Sequence, residues 1–417
     1  MKKILLAAGL ICGVFLAADS AFAWNYNYYG AQHGNVLGTY RVDINIDDYL
    51  PLNSGGSAKA LGMGGAFTAV ADDLGAVEYN PAGLAQIDHI NVAALATVSR
   101  TSKIGKLGEK TTNWTVVPSY GGAAIKVGPI ALGVSRKVAE SKNIYQKFTT
   151  TQNNIFAPDG WRMRYDTLSD KIDTSGLDTY VLTGALKLGR LSLGANYNAI
   201  DGEIEREFSG RVTTPIQRPW WYPAGYNMND QFQATNTVGL KGYTMDFGAL
   251  MNMGPLRLGV AAKNAIGKVD VTQKLYWKDN FDMGGSSNWF VYSPLQTKKT
   301  LTKFAPTYVA GAALVFGKIL MVDLDYITVN LEDTRKSQGR LGAELAVIPG
   351  FLFARGGVRS DFKNIVQNRD QKTMAYFVGA GMKMLVLTVD ASASLEQAKA
   401  GSDGANMTGA VSAQLKF

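Results

Sequence analysis

One cysteine, two histidines and 18% charged residues leave little reactive chemistry in 417 residues. The cysteine, Cys12, lies in an N-terminal apolar run, so the rest of the chain has no thiol for a disulfide or a thiolate metal site. His33 and His89 are the only imidazoles, the side chains most often used as general bases. Neither stands beside a recognisable Ser or Asp motif, which argues against a hydrolase; no cofactor and no metal are expected. Long apolar runs are also missing. The longest, Ile4 to Ala18, has fifteen residues, short of the roughly 18 a spanning helix needs. A polytopic helical membrane protein is thereby excluded. The formal charge is +8, but its lysines and arginines are scattered, so no nucleic acid is expected as partner. On an exported chain such charge fits anionic lipid head groups.

The N-terminus reads as a secretory signal over residues 1–23. Lys2 and Lys3 precede the apolar run, and Ala21-Phe22-Ala23 is a small-residue cleavage site that sets the mature start at Trp24.

What the chain has in abundance is glycine (46) with tyrosine (19) and phenylalanine (17), a composition of strands, tight turns and interfacial aromatics. Residues 87–417 repeat one pattern, about ten alternating residues and then a turn. Leu385, Leu387, Val389, Ala391, Ala393 and Leu395 share one face; Thr388, Asp390, Ser392, Ser394 and Glu396 share the other. That period of two gives one face to hydrocarbon and one to a wet or polar interior. Fourteen strands can be counted. Every second connection is tight: Gly128-Pro129, Gly189-Arg190, Gly254, Gly317, Pro349-Gly350 and Met384. The others are longer, with three long loops expected near 141–177, 202–236 and 268–303. Short turns on one rim and long loops on the other predict an all-β transmembrane antiparallel barrel of the outer membrane of a Gram-negative bacterium, in contact with outer-membrane lipid and lipopolysaccharide. Closure satisfies every backbone group without an edge in lipid.

Residues 24–86 do not fit a barrel wall. Ser54–Gly65 is small and glycine-dense, and Asn80-Pro81 sets a turn. Asp72 and Asp73 are placed to cap a short helix or turn from Leu74. The run Gly62-Met63-Gly64-Gly65-Ala66-Phe67-Thr68-Ala69-Val70-Ala71-Asp72-Asp73, followed by Tyr79-Asn80-Pro81-Ala82-Gly83-Leu84, resembles the N-terminal hatch of FadL-type outer-membrane transporters of hydrophobic compounds. The dense match covers about 57–85. The resemblance implies a fourteen-stranded barrel plugged by this segment. It also implies passive uptake of hydrophobic small molecules such as long-chain fatty acids, with an exit through a gap in the wall beside a kinked strand. Gly62, Gly64, Gly65, Asp72, Asp73, Asn80, Pro81 and Gly83 would then form the hatch and gate. Phe417, ending an alternating strand, resembles the signal read by the barrel-assembly machinery. The compact Gly-Gly-Ala-Phe form is also similar to a sister branch that includes the shuttle barrel of the type IX secretion system. That branch implies an alternative, an anchor or shuttle for secreted proteins in a secretion complex.

Candidate substrate contacts are of two kinds. Aromatic clusters in the expected loops, above all Trp220, Trp221 and Tyr222, suit either capture of an apolar molecule or an interfacial girdle. By parity Arg257, Lys263, Arg340, Glu344 and Lys383 face inward. Such cations could hold a carboxylate head group or could pair within the lumen and tie hatch to wall. Asp323 and Asp325 share the same inward face and suit a cation or a wet lumen.

Overall fold

The computed structural model describes residues 56–417 apart from 105–109, 139–143, 154–161, 174–177, 218–228, 283–288, 302–305, 331–334, 367–368, 371–373 and 397–405. The signal peptide, Trp24–Asn53, His33 and the Trp220-Trp221-Tyr222 cluster lie outside the described residues. Of the described residues, no helix is long and apolar enough to cross a membrane.

The strands, in chain order, begin with β1 (Ile90–Ile104), β2 (Lys110–Val127), β3 (Ile130–Val138), β4 (Ile144–Asn153), β5 (Arg162–Asp173) and β6 (Asp178–Leu188). Then come β7 (Leu191–Gln217), β8 (Asn229–Met253), β9 (Leu256–Asp282), β10 (Trp289–Leu301), β11 (Thr307–Phe316) and β12 (Leu320–Asn330). The last are β13 (Arg335–Ile348), β14 (Leu352–Val366), β15 (Arg369–Asp370), β16 (Met374–Met384), β17 (Leu387–Glu396) and β18 (Asn406–Lys416). Fourteen of them close a ring, from β1 through β2, β3, β6, β7, β8, β9, β11, β12, β13, β14, β16 and β17 to β18. β18 returns to β1 with Asn91 opposite Lys416 and Arg100 opposite Met407. All neighbours are antiparallel, as the short turns require.

Those turns work because glycine adopts the left-handed backbone at Gly128, Gly189, Gly254, Gly317 and Gly350, with φ between 57° and 83°. The sixth has no glycine and forces Leu385 to φ 46°. The three expected long loops turn out to be largely strand. β7, β8 and β9 run 27, 25 and 27 residues, where about 9–11 cross a bilayer. The β4–β5 pair and β10 extend the wall beside them. The aromatic residues Trp277, Phe281, Trp289, Phe290 and Tyr292 therefore sit in strands rather than loops.

The alternation resolves as expected. Along β3, Leu132 and Val134 point out with Ala131 and Ser135 in; Leu182, Leu258, Leu324, Leu341, Val378 and Val411 are likewise exposed around the ring. A continuous apolar outer surface of this size belongs in lipid. Aromatics border it: Phe316, Phe351 and Phe417 near the short turns, and outward Tyr180, Tyr197, Tyr326 and Tyr376 further up the strands.

Among the described ladders, the one between β2 and β3 is cut short. The β2–β3 ladder runs from Val127 opposite Ile130 to Tyr120 opposite Lys137 and then stops. Above it, residues 110–118 of β2 pair with β1 alone among the described ladders. Pro118 sits at the break, where the β1–β2 register also shifts. A proline has no N–H for a ladder and is confined to edges and bulges.

A candidate gate: the hatch seated on a belt of glycines

Residues 56–87 fold inside the ring, near the short-turn rim. Ser57 caps a one-turn helix, α1 (Ala58–Gly62), its hydroxyl accepting from Ala60 N. A 3-10 turn over Leu74–Glu78 follows Asp73, and another over Pro81–Gln86 follows Asn80. Asn80, expected to set a turn with Pro81, caps the second of these, its Oδ1 accepting from Ala82 N at 3.1 Å. Asp73 takes the N-cap position without a capping bond and accepts instead from the Ser57 hydroxyl. Pairing with α1 replaces the local cap.

The hatch is almost dry; Met63, Phe67, Asn80 and Leu84 are each 0% exposed. So close a fit is set by lumen-facing glycines. A Cβ on Gly194 of β7 would fall 2.5 Å from Pro81 O, and one on Gly248 of β8 2.8 Å from Pro81 Cδ. On Gly259 of β9 it would meet Ala69 Cα at 2.8 Å, on Gly342 of β13 Met63 Cβ at 2.8 Å, and on Gly379 of β16 Gly62 Cα at 3.0 Å. Gly311 of β11 and Gly357 of β14 complete the belt against Thr68 and Met63. Register pairs these glycines across strands: Gly194 with Gly248, Gly259 with Gly311, Gly342 with Gly357. Backbone therefore lies on backbone around much of the circumference.

Polar anchors fill the remaining contacts. Asp325 accepts from Phe67 N at 2.9 Å, Thr68 N at 3.0 Å and Thr68 Oγ1 at 2.7 Å. Asn80 Nδ2 donates to Thr68 O at 3.0 Å and to the wall carbonyl of Ala249 at 3.1 Å. Arg340 Nη1 donates to Gly65 O at 3.1 Å. Lys59 pairs with Asp72 at 2.9 Å and lies 3.6 Å from Glu344. Glu344 and Asp390 hold Arg355 at 2.6 and 2.7 Å. Burial alone would lower the Lys59 ammonium, but Asp72 and Glu344 outweigh it and hold it above the usual lysine range. Burial would likewise raise Asp72, yet Lys59 draws it below the usual carboxylate range. Asp73 has no such cation, and burial beside Asp72 pushes its carboxyl up to about 6.

The inward cations fall into separate places. Arg340 is spent on the hatch. Lys263, next to a bulge in β9, faces the outer side of the hatch with its ammonium 5.7 Å from the Tyr79 ring centroid. Nearby, Lys137 pairs with Glu78 at 3.1 Å, and Asn196 and Asn198 both donate to Asp246. Arg257 lies on the short-turn side, and Lys383 is exposed at the rim. Asp325 is an anchor rather than a cation ligand, and Asp323 is buried beside Ala69 and Val70. No group of three metal-binding side chains occurs among the described residues. The glycine belt was not singled out from sequence, and Asp325 was named there only for a cation or a wet lumen; small residues recurring on the inward parity were the available sign of the belt.

Residues 44–112 match the model of an uncharacterised protein family, UPF0164. No curated protein matches the sequence. In fold, the chain is similar to the CymD monoaromatic hydrocarbon channel (14% identity, TM-score 0.60, 87% of this chain and 98% of that one). It is equally similar to a FadL homologue of Pseudomonas aeruginosa (14%, TM-score 0.60, 87% and 98%). The toluene transporter TbuX of Ralstonia pickettii gives 14% identity and a TM-score of 0.56 over 87% and 99%. With its apolar belt, aromatic borders and internal hatch, this chain has the FadL-type fold: a closed, fourteen-stranded outer-membrane barrel.

Proposed function

We propose that the barrel is a passive outer-membrane channel for hydrophobic small molecules, and not an enzyme. The observation that carries this reading is the pairing of a blocked axis with an interrupted wall. The hatch fills the lumen at the short-turn rim, while the β2–β3 ladder ends at Tyr120, which itself binds the hatch through Leu74 O at 3.0 Å. In this reading that ladder end, where β4 lies against β2, is a side opening that a ligand descending from outside meets next to the hatch. A hydrophobic ligand has reason to take that opening, since it leads towards hydrocarbon. Similar barrels include a monoaromatic hydrocarbon channel and a toluene transporter, which supports the ligand class.

Residues 24–86 act as extension and hatch in this reading, with Gly62, Gly64, Gly65, Asp72, Asp73, Asn80, Pro81 and Gly83 shaping the gate. Trp220, Trp221 and Tyr222 receive the ligand outside, and Lys263 meets a carboxylate if the ligand carries one. Phe417 serves barrel assembly. The test is mass spectrometry of lipids and proteins co-purifying with the barrel from its native membrane in mild detergent. A stoichiometric apolar molecule is expected. A stoichiometric protein partner without bound lipid would instead support the anchor in a secretion complex.

A further inference from the structure

On the short-turn side of the hatch lies a cavity of about 350 Å³. Its roof is hatch, at Ala69 and Gln86, and its wall is the inward face of β6 to β9 at their turns. Three cations line it, Lys187, Arg190 and Arg257, and no carboxylate does. Lys187 and Arg190 are exposed at the rim, whereas Arg257 is half-buried, its Nε closed off and without a hydrogen-bond partner. With no carboxylate in the lining, an oxyanion entering the cavity supplies the countercharge that the three cations lack there. Gln86 is held to the hatch, its amide nitrogen donating to Val70 O and Ala71 O. Leu250 and Met253 give the same cavity an apolar shoulder.

We propose that this vestibule is an oxyanion-binding site at the periplasmic mouth, formed by Arg257, Arg190 and Lys187, for a carboxylate or phosphate joined to a short apolar segment. Its volume lies at the low end of small-ligand pockets, enough for a head group and a few methylenes. The proposal rests on the channel reading only for one source of the ligand, a carboxylate amphiphile on its way out; the other source is a phosphate from a lipid head group or from solution.

The test uses the mature barrel in an uncharged, phosphate-free detergent. Binding of hexanoate, 1-hexanol and inorganic phosphate is followed by calorimetry, for the wild type, a Lys187→Gln/Arg190→Gln double variant and Lys318→Gln. These rim residues lie away from the hatch anchors, and the heat-modifiable gel shift of a folded barrel confirms that the variants fold. Hexanoate should bind and hexanol should not. The double variant should lose about tenfold or more in affinity, and Lys318→Gln, exposed at another rim turn and outside the cavity lining, should lose none. Stronger binding of hexanoate than of phosphate assigns the site to departing amphiphiles; the reverse order assigns it to phosphate. Equal binding of hexanol, no binding of either anion, or affinity unchanged in the double variant would overturn the site. Phosphate binding that persists in a barrel shown not to pass hydrophobic compounds would sink the channel and leave the vestibule standing.

Discussion

Replacing Gly259 by alanine places a methyl group where the hatch backbone already lies. The new Cβ would fall 2.7 Å from the Thr68 carbonyl carbon and 2.8 Å from Ala69 Cα. Carbon atoms rest at about 3.5–4.0 Å, so the hatch must withdraw by roughly 1 Å. Neither obstacle is a side chain that can rotate away. Withdrawal also stretches the bonds from Phe67 N, Thr68 N and Thr68 Oγ1 to Asp325. Overpacking of this kind costs about 1–3 kcal/mol, a five- to 150-fold rise in undocked hatch. The wall should not suffer, since alanine in a strand loses less conformational entropy than glycine. Gly121→Ala is the control, with nothing within 4 Å of its Cβ. The assays are planar-bilayer conductance for small ions and protease cleavage of the hatch, with the gel shift reporting an intact barrel. Gly259→Ala should conduct and be cleaved more than either the control or the wild type. If all three behave alike, the glycine belt is not what seats the hatch.

Asn80→Ala removes one hatch cap and two inter-element bonds and should cost about 2–4 kcal/mol of docking. Asn80→Asp, which keeps the cap acceptor but faces two carbonyls, should be no better; hydrogen exchange at Ala82 reports both. Arg355→Leu strands Glu344 and Asp390 and should cost about 3–5 kcal/mol in urea unfolding. Asp73, raised from 3.8 to about 6, keeps its proton more readily in the docked hatch than in the unfolded chain. Docking stability is therefore greatest at low pH on this account and falls as pH rises from about 4 through 6, by about 1.4 kcal/mol per pKa unit. Asp73→Asn should flatten that fall in thermal unfolding between pH 4 and 7. Leu385, at φ 46° and 97% exposed, should gain about 1 kcal/mol when replaced by glycine, read as a higher urea midpoint.

Much of the wall was legible from residue order. A period of two is local, so Leu132, Val134, Leu182 and Val378 could be assigned to one face without knowing what they touched, and all four prove exposed. Gly128, Gly189, Gly254, Gly317 and Gly350 marked turns because the required backbone is local to each residue. The hatch was legible as a motif, and Asn80-Pro81 as a turn within it. The three long loops were not read correctly. Their polar, mixed sequence carries no strong alternation, yet β7, β8 and β9 continue as strands because each finds a partner at its side.

Parity also gives a face but not a height. Arg257, Lys263 and Arg340 share the inward face, yet Arg257 lies below the hatch, Lys263 above it and Arg340 against it. Height depends on barrel register and on where a segment far away in sequence comes to rest. The same holds for Gly259, an unremarked strand glycine until Thr68 and Ala69 are placed on it. Sequence alone determined that this chain is a closed wall with an apolar outside, because alternation and turn chemistry act over a few residues. Which side chains hold the hatch, where the β2–β3 ladder ends and which cations gather below the hatch were decided only by tertiary structure, because each depends on groups that the chain keeps far apart until the barrel closes.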